Sequence, residues 1–142
     1  MAIRTANARW EGTLTEGTGV MRTGKGGLTA NFSFKSRFEE GEGSNPEELI
    51  GAAHAGCYSM FLSGLLTKAG YPPTAIDTTA NVHLERVNDK PTVTRIELVT
   101  TATVPNLAEA DFLRMAEEAK EGCPISRLLA PGTEITLSAT LA

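Results

Sequence analysis

Cysteine is scarce in this 142-residue chain: there are two, Cys57 and Cys123, 66 positions apart. Secreted disulfide scaffolds are short and cysteine-dense, so that class is excluded. No C-x-x-C pair occurs, which removes the usual zinc and dithiol-exchange signatures. A basic stripe is also missing. The net charge is -4 with the two signs interspersed, which argues against nucleic acid as a partner. The N-terminus, Met1-Ala2-Ile3-Arg4, lacks an apolar signal core, so a cytoplasmic location is expected. The longest apolar stretch, Leu49 to Leu66, is interrupted by His54 and by glycines and serines, and it reads as a core helix with no membrane role. No repeat or linker is legible, and one domain spanning 1–142 is expected. Gly19 to Lys25 spells G-x-x-x-x-G-K, but Gly26 follows where a P-loop needs Ser or Thr. It is discarded as a glycine-rich turn. No Ser-His-Asp arrangement is visible.

What is present is a regular alternation of elements. Short β segments fill the chain to about Phe38: Trp10 to Leu14, a turn at Gly17-Thr18-Gly19, a second turn at Gly24 to Gly27, and a strand over Thr29 to Phe34. A polar loop, Glu39 to Gly43, leads to the clearest helix start. Asn45 caps, Pro46 takes the first helical position, and Glu48 stands three residues after the cap. This helix is expected to stop at Gly70. Its Gly51-to-Cys57 segment is small and nearly uncharged, which predicts burial on most sides. Three strands follow by alternation: Ile76 to Leu84, Thr94 to Val104 and Ile135 to Leu141. Helices are expected over Leu107 to Lys120 and Pro124 to Leu129. The order of elements is that of an α+β fold.

Taken by position alone, each cysteine reads as small core filler. Setting changes that reading. Cys57 stands among Gly and Ala, where a substrate could come close. Cys123 precedes Pro124, so its sulfur would sit at a helix N-terminus, which lowers a thiol pKa. Arg37, by itself an ordinary surface cation, would stabilise a thiolate if it lay over one. Glu47, by itself a dipole-complementing acid, would hold the Arg37 fork by a bidentate pair. Glu47 and Cys57 are ten residues apart on one helix, about 15 Å of rise. One arginine cannot touch both unless the helix is broken or two chains supply the site, and an intertwined dimer is expected. His54 is one turn before Cys57. Two ligands do not make a zinc site, so it reads as a packed or hydrogen-bonded histidine. His83 falls on the solvated face of its strand.

Ser36-Arg37-Phe38, the run Asn45-Pro46-Glu47-Glu48-Leu49-Ile50-Gly51-Ala52-Ala53-His54-Ala55-Gly56-Cys57, and Gly122-Cys123-Pro124-Ile125-Ser126 together resemble the OsmC/Ohr family of bacterial peroxidases. The S-R-F placement of the arginine resembles the OsmC, osmotically inducible, branch; Ohr proteins carry it on an earlier loop. Gly56 departs from the alanine common in relatives. The resemblance spans essentially the whole chain. It implies antiparallel sheets around a long buried central helix in an intertwined homodimer. It also implies that Cys57 is the peroxidatic cysteine, Cys123 the resolving cysteine, and Arg37 and Glu47 their supporting pair. The implied activity is reduction of organic hydroperoxides in oxidative or osmotic stress. It runs through a Cys57 sulfenic acid and a Cys57–Cys123 disulfide, reopened by an external dithiol, often of lipoyl type. No metal, haem or flavin cofactor is implied. Phe34, Phe38, Met60 and Phe61 are expected to line an apolar pocket. The alternatives are a non-catalytic binding or structural protein of the same fold, which having both cysteines disfavours, and a protein dithiol–disulfide oxidoreductase.

Overall fold

A computed structural model describes residues 1–142 and places them in two compact units, Met1–Leu49 and Ile50–Ala142. The first unit is a three-stranded antiparallel sheet, β1 (Ala6–Glu11), β2 (Thr18–Thr23) and β3 (Thr29–Ser33), followed by a short helix, α1 (Phe34–Phe38). Gly19 pairs with both Trp10 and Phe32, whose rings tilt against each other at 5.3 Å. A Cβ at Gly19 would lie 2.4 Å from the Phe32 ring, so glycine leaves the room that the two aromatics fill. Thr18 and Gly19 therefore begin β2, and the turn falls earlier, between Gly12 and Gly17, with Gly12 in the left-handed region. The Gly24-to-Gly27 turn stands where expected. Phe34 leaves the strand because Ser33 caps α1: its hydroxyl accepts from the Ser36 N–H, and the Ser36 hydroxyl accepts from the Ser33 N–H.

The second unit contains most of α2 (Pro46–Lys68) and a sheet of β4 (Ala75–Val87), β5 (Lys90–Thr103) and β6 (Glu134–Leu141), in the order β4-β5-β6. β4 and β5 form an antiparallel hairpin whose turn residues, Asn88 and Asp89, both have positive φ, as a two-residue primed turn requires. β6 pairs with β5 in parallel, so one pairing departs from the antiparallel expectation. The connection explains it: after β5 the chain passes through α3 (Glu109–Gly122) and α4 (Pro124–Leu129), and a helical crossover returns a strand in the same direction. α3 begins two residues later than the sequence pattern predicts, at Glu109 rather than Leu107. The core joins Tyr58, Leu62 and Leu66 of α2, Ile96, Leu98 and Ala102 of β5, and Phe112, Met115, Ala116 and Ala119 of α3.

α2 is long and apolar enough to cross a membrane by length and composition. Within this chain it behaves as a core helix along one stripe. Gly51, His54, Tyr58, Leu62 and Leu66 recur at helical spacing and are buried. Polar contacts fix the stripe: the Ser59 hydroxyl donates to Thr78 at 2.8 Å, Thr78 meets Thr100 at 2.9 Å, and Tyr58 donates to the Ala116 carbonyl at 3.1 Å. The expected burial on most sides is not met. Ala52, Ala53, Gly56, Met60 and Gly64 are exposed.

Candidate active site

Two clusters contain the residues that the sequence singles out. The first joins Arg37 and Glu47. α1 carries Arg37, and the loop to α2 folds back on α1. The Ser36 hydroxyl donates to the Ser44 carbonyl at 2.6 Å, and the Asn45 side-chain amide donates to the Ser36 carbonyl at 3.2 Å. The Asn45 carboxamide oxygen also accepts from the Glu48 N–H at 2.9 Å, the expected cap of α2. These bonds place Glu47, in the first turn, opposite Arg37. The guanidinium donates from Nη2 to Oε1 at 2.7 Å and from Nε to Oε2 at 3.2 Å, a fork-to-fork pair. The guanidinium carbon also lies 5.2 Å from the Phe38 ring centroid. A cavity of about 260 Å³ adjoins Arg37, lined by Trp10, Leu14, Phe32, Ser33, Phe34 and Phe38. Phe34 and Phe38 line it as expected. Met60 is exposed and Phe61 packs against Gly122, so neither belongs to this pocket.

The second cluster joins Cys57 and Cys123, both free thiols. Cys57 lies in the middle of α2, half-buried. Cys123 is fully buried at the junction of α3 and α4. Gly122 makes this junction possible: a Cβ there would come 2.7 Å from the Phe61 ring, four residues along α2 from Cys57. Cys123 caps α4, its sulfur accepting from the Ser126 N–H at 3.3 Å, with Pro124 in the first turn. The sulfur at a helix start is therefore as the sequence predicts. The thiols face each other closely enough that each shifts the other's titration. Burial pushes the Cys57 thiol up, and a hydrogen bond from the Ile125 backbone only partly offsets it. Burial pushes Cys123 up too, but the hydrogen bonds that the Ser126 side chain and backbone, Cys57 and Ile125 can make to its thiolate outweigh it and leave this group below its ordinary value.

Two further side chains join this cluster: His54, packed and hydrogen-bonded as expected, and Ser126, which the sequence did not single out. His54 is fully buried, and its Nε2 lies 2.7 Å from the Ser126 hydroxyl. Ser126 in turn accepts from the Cys123 thiol at 3.5 Å. The H-x-x-C spacing gave the signal for His54; nothing local marked Ser126. His83 is not simply solvated, since its Nε2 meets a Glu97 carboxylate at 3.0 Å. No group of three or more His, Cys, Asp or Glu side chains is arranged to hold a metal ion.

A half-buried thiol facing a buried one held at a helix start is an arrangement suited to thiol redox chemistry. Comparison with known proteins then fixes the kind. The family model for OsmC-like proteins matches residues 39–138. The chain is 46% identical over 131 residues to peroxiredoxin OsmC of Escherichia coli, covering 92% of this chain and 90% of that one; the Shigella flexneri protein of the same name matches equally. The chain belongs to the OsmC family and is a peroxiredoxin-like enzyme. The fold agrees. An organic hydroperoxide resistance protein OsmC from Legionella pneumophila superposes with a TM-score of 0.74 at 21% identity, over 99% of both chains. The organic hydroperoxide resistance protein OhrB of Bacillus subtilis gives 0.72 at 18% identity, over 96% of this chain and 98% of that one.

Proposed function

We propose that the protein reduces organic hydroperoxides, with Cys57 as attacking thiolate and Cys123 as resolving thiol. The reading rests on access. Cys123 is the more acidic thiol in this chain but is fully buried, whereas Cys57 is partly open to an incoming peroxide and faces Cys123. Cys57 attacks the outer oxygen of R–O–O–H, the O–O bond breaks, the alkoxide takes a proton and leaves as alcohol, and Cys57 becomes a sulfenic acid. Cys123 then displaces water to give the disulfide, and an external dithiol reopens it by exchange.

Burial leaves Cys57 short of a cation, and the Arg37–Glu47 pair is the group suited to supply one. Glu47 and Cys57 stand ten residues apart on the unbroken α2, about 15 Å along its axis. We therefore assign the Arg37–Glu47 pair at each thiol to a second copy of the chain, in a homodimer. The exposed face of α2 through Ala52, Gly56, Met60 and Gly64, and the exposed residues of β1, support this. The mostly apolar cavity beside Arg37 suits an alkyl or aryl group better than hydrogen peroxide.

The test is peroxide consumption with dihydrolipoamide as the dithiol, together with sedimentation. Cys57→Ser is expected to abolish turnover and Cys123→Ser to stop it after one turnover. Gly56→Leu is expected to separate the dimer and remove activity. An active Cys57→Ser enzyme would end the peroxidase reading; a fully active monomer would end the shared site.

A further inference from the structure

The chemistry above gives no task to His54 or Ser126. Both are buried, at 0% and 2% exposure, inside the apolar core of the second unit. A histidine in such surroundings is costly unless it is well bonded. His54 has one partner only, the Ser126 hydroxyl at 2.7 Å, and its Nδ1 has none. Ser126 stands in the first turn of α4, where its N–H already binds the Cys123 sulfur at 3.3 Å. Its hydroxyl bridges onward from that sulfur at 3.5 Å. The result is a continuous buried chain, Cys123 Sγ to Ser126 Oγ to His54 Nε2. It ends on a thiol that must lose its proton when it attacks.

We propose that Ser126 and His54 form a proton relay for the resolving step, with Ser126 passing and His54 holding the Cys123 proton. This inference rests on Cys123 being the resolving thiol. In the reduced enzyme the Cys123 S–H donates to Ser126, and the Ser126 O–H donates to Nε2 of a neutral His54 protonated at Nδ1. As the Cys123 sulfur attacks the sulfenic sulfur of Cys57, the S–S bond forms and the S–O bond of Cys57 breaks. The thiol proton moves to Ser126 while the hydroxyl proton of Ser126 moves to His54. The departing hydroxide takes that proton back through Ser126 and leaves as water. One sulfenic acid and one thiol thus give one disulfide and one water. The Cys57 sulfur is reduced by one electron and the Cys123 sulfur oxidised by one, with no further reagent. Burial holds the His54 pKa below its ordinary value, so the proton is returned easily.

The experiment separates the two steps. Reduced protein receives one equivalent of an organic hydroperoxide. Samples are quenched over time with dimedone, and mass spectrometry counts trapped Cys57 sulfenic acid against the disulfide. Wild type, Ser126→Ala, Ser126→Thr, His54→Gln and Cys123→Ser are compared. Ser126→Ala and His54→Gln should form sulfenic acid at the wild-type rate and close the disulfide about 10²-fold more slowly, a modest acid–base contribution. Ser126→Thr, which keeps the hydroxyl, should recover most of the rate. Wild-type closure in both relay variants would overturn the proposal. So would an equal slowing of both steps, which is what a purely structural role gives. If His54→Gln does not fold, Ser126→Ala alone decides. If Cys123→Ser traps no sulfenic acid at Cys57, the assignment of the thiols fails, and the relay with it; if it traps sulfenic acid while the relay variants close normally, only the relay fails.

Discussion

Replacing Glu47 by alanine asks whether Arg37 acts as a held cation or as a free one. The Glu47 side chain is 10% exposed and the Arg37 side chain 38%. Removing the acid strands a guanidinium that water still reaches and that has only the Phe38 ring left to hold it. The stability loss should be about 1 kcal/mol, that of a partly exposed charged pair. Removing the arginine strands a nearly buried carboxylate instead, and the cost should rise to about 2 kcal/mol. The rates should run the same way by different causes. Arg37→Ala deletes the charge and should slow sulfenic acid formation about 10²- to 10³-fold. Glu47→Ala only loosens it; losing one charged hydrogen bond's worth of orientation, about 1.4 kcal/mol, gives about tenfold. Stopped-flow oxidation by an organic hydroperoxide and urea melts of the same preparations measure both quantities. Oxidation of Glu47→Ala at the wild-type rate, or a larger stability loss from Glu47→Ala than from Arg37→Ala, would show that Glu47 does not hold Arg37 in this way.

Three further outcomes follow. Burial already raises the Cys57 pKa, and the thiolate is the reacting form, so if Arg37 stands beside this thiol as proposed, Arg37→Ala should move the pH midpoint of Cys57 alkylation upward by about 1 unit; a midpoint that stays put would detach Arg37 from the thiol. Gly122→Ala forces a methyl to 2.7 Å from the Phe61 ring, and overpacking of this kind costs about 1–3 kcal/mol; an unchanged melting temperature would show that the ring yields freely. His54 titrates near 6.5 when unfolded and lower when folded, so the unfolded chain binds more protons in between. Its contribution is complete above 6.5 and is lost as pH falls from there toward the folded value. Urea midpoints should therefore drop in that window for wild type and less for His54→Gln, and parallel curves would contradict this.

The sequence exposes the parts of this fold that have a period or a cap. α2 announces itself through Asn45, Pro46 and Glu48, and its start and stop agree with the structure. The long strands announce themselves by alternation. Elements set by tertiary contact were less visible. Gly19 looks like a turn residue until Trp10 and Phe32 close over it. The direction of β6 depends on a crossover that no local residue encodes. α1 is five residues long, too short for a period, and only its Ser33–Ser36 capping box marks it. The site divides likewise. The Arg37–Glu47 pair and the helix-start position of Cys123 follow from charge and spacing. The Ser126–His54 contact joins residues 72 positions apart and emerges only when α4 docks on α2.

The pairing of Cys57 with Cys123 is measured most directly by a non-reducing peptide map of the protein after one equivalent of organic hydroperoxide. One alcohol should be released per chain, with a single bond between the peptides carrying Cys57 and Cys123, within one chain. Protein left with both thiols free while the peroxide is consumed, or a bond joining Cys57 to Cys57 of a second copy, would contradict it.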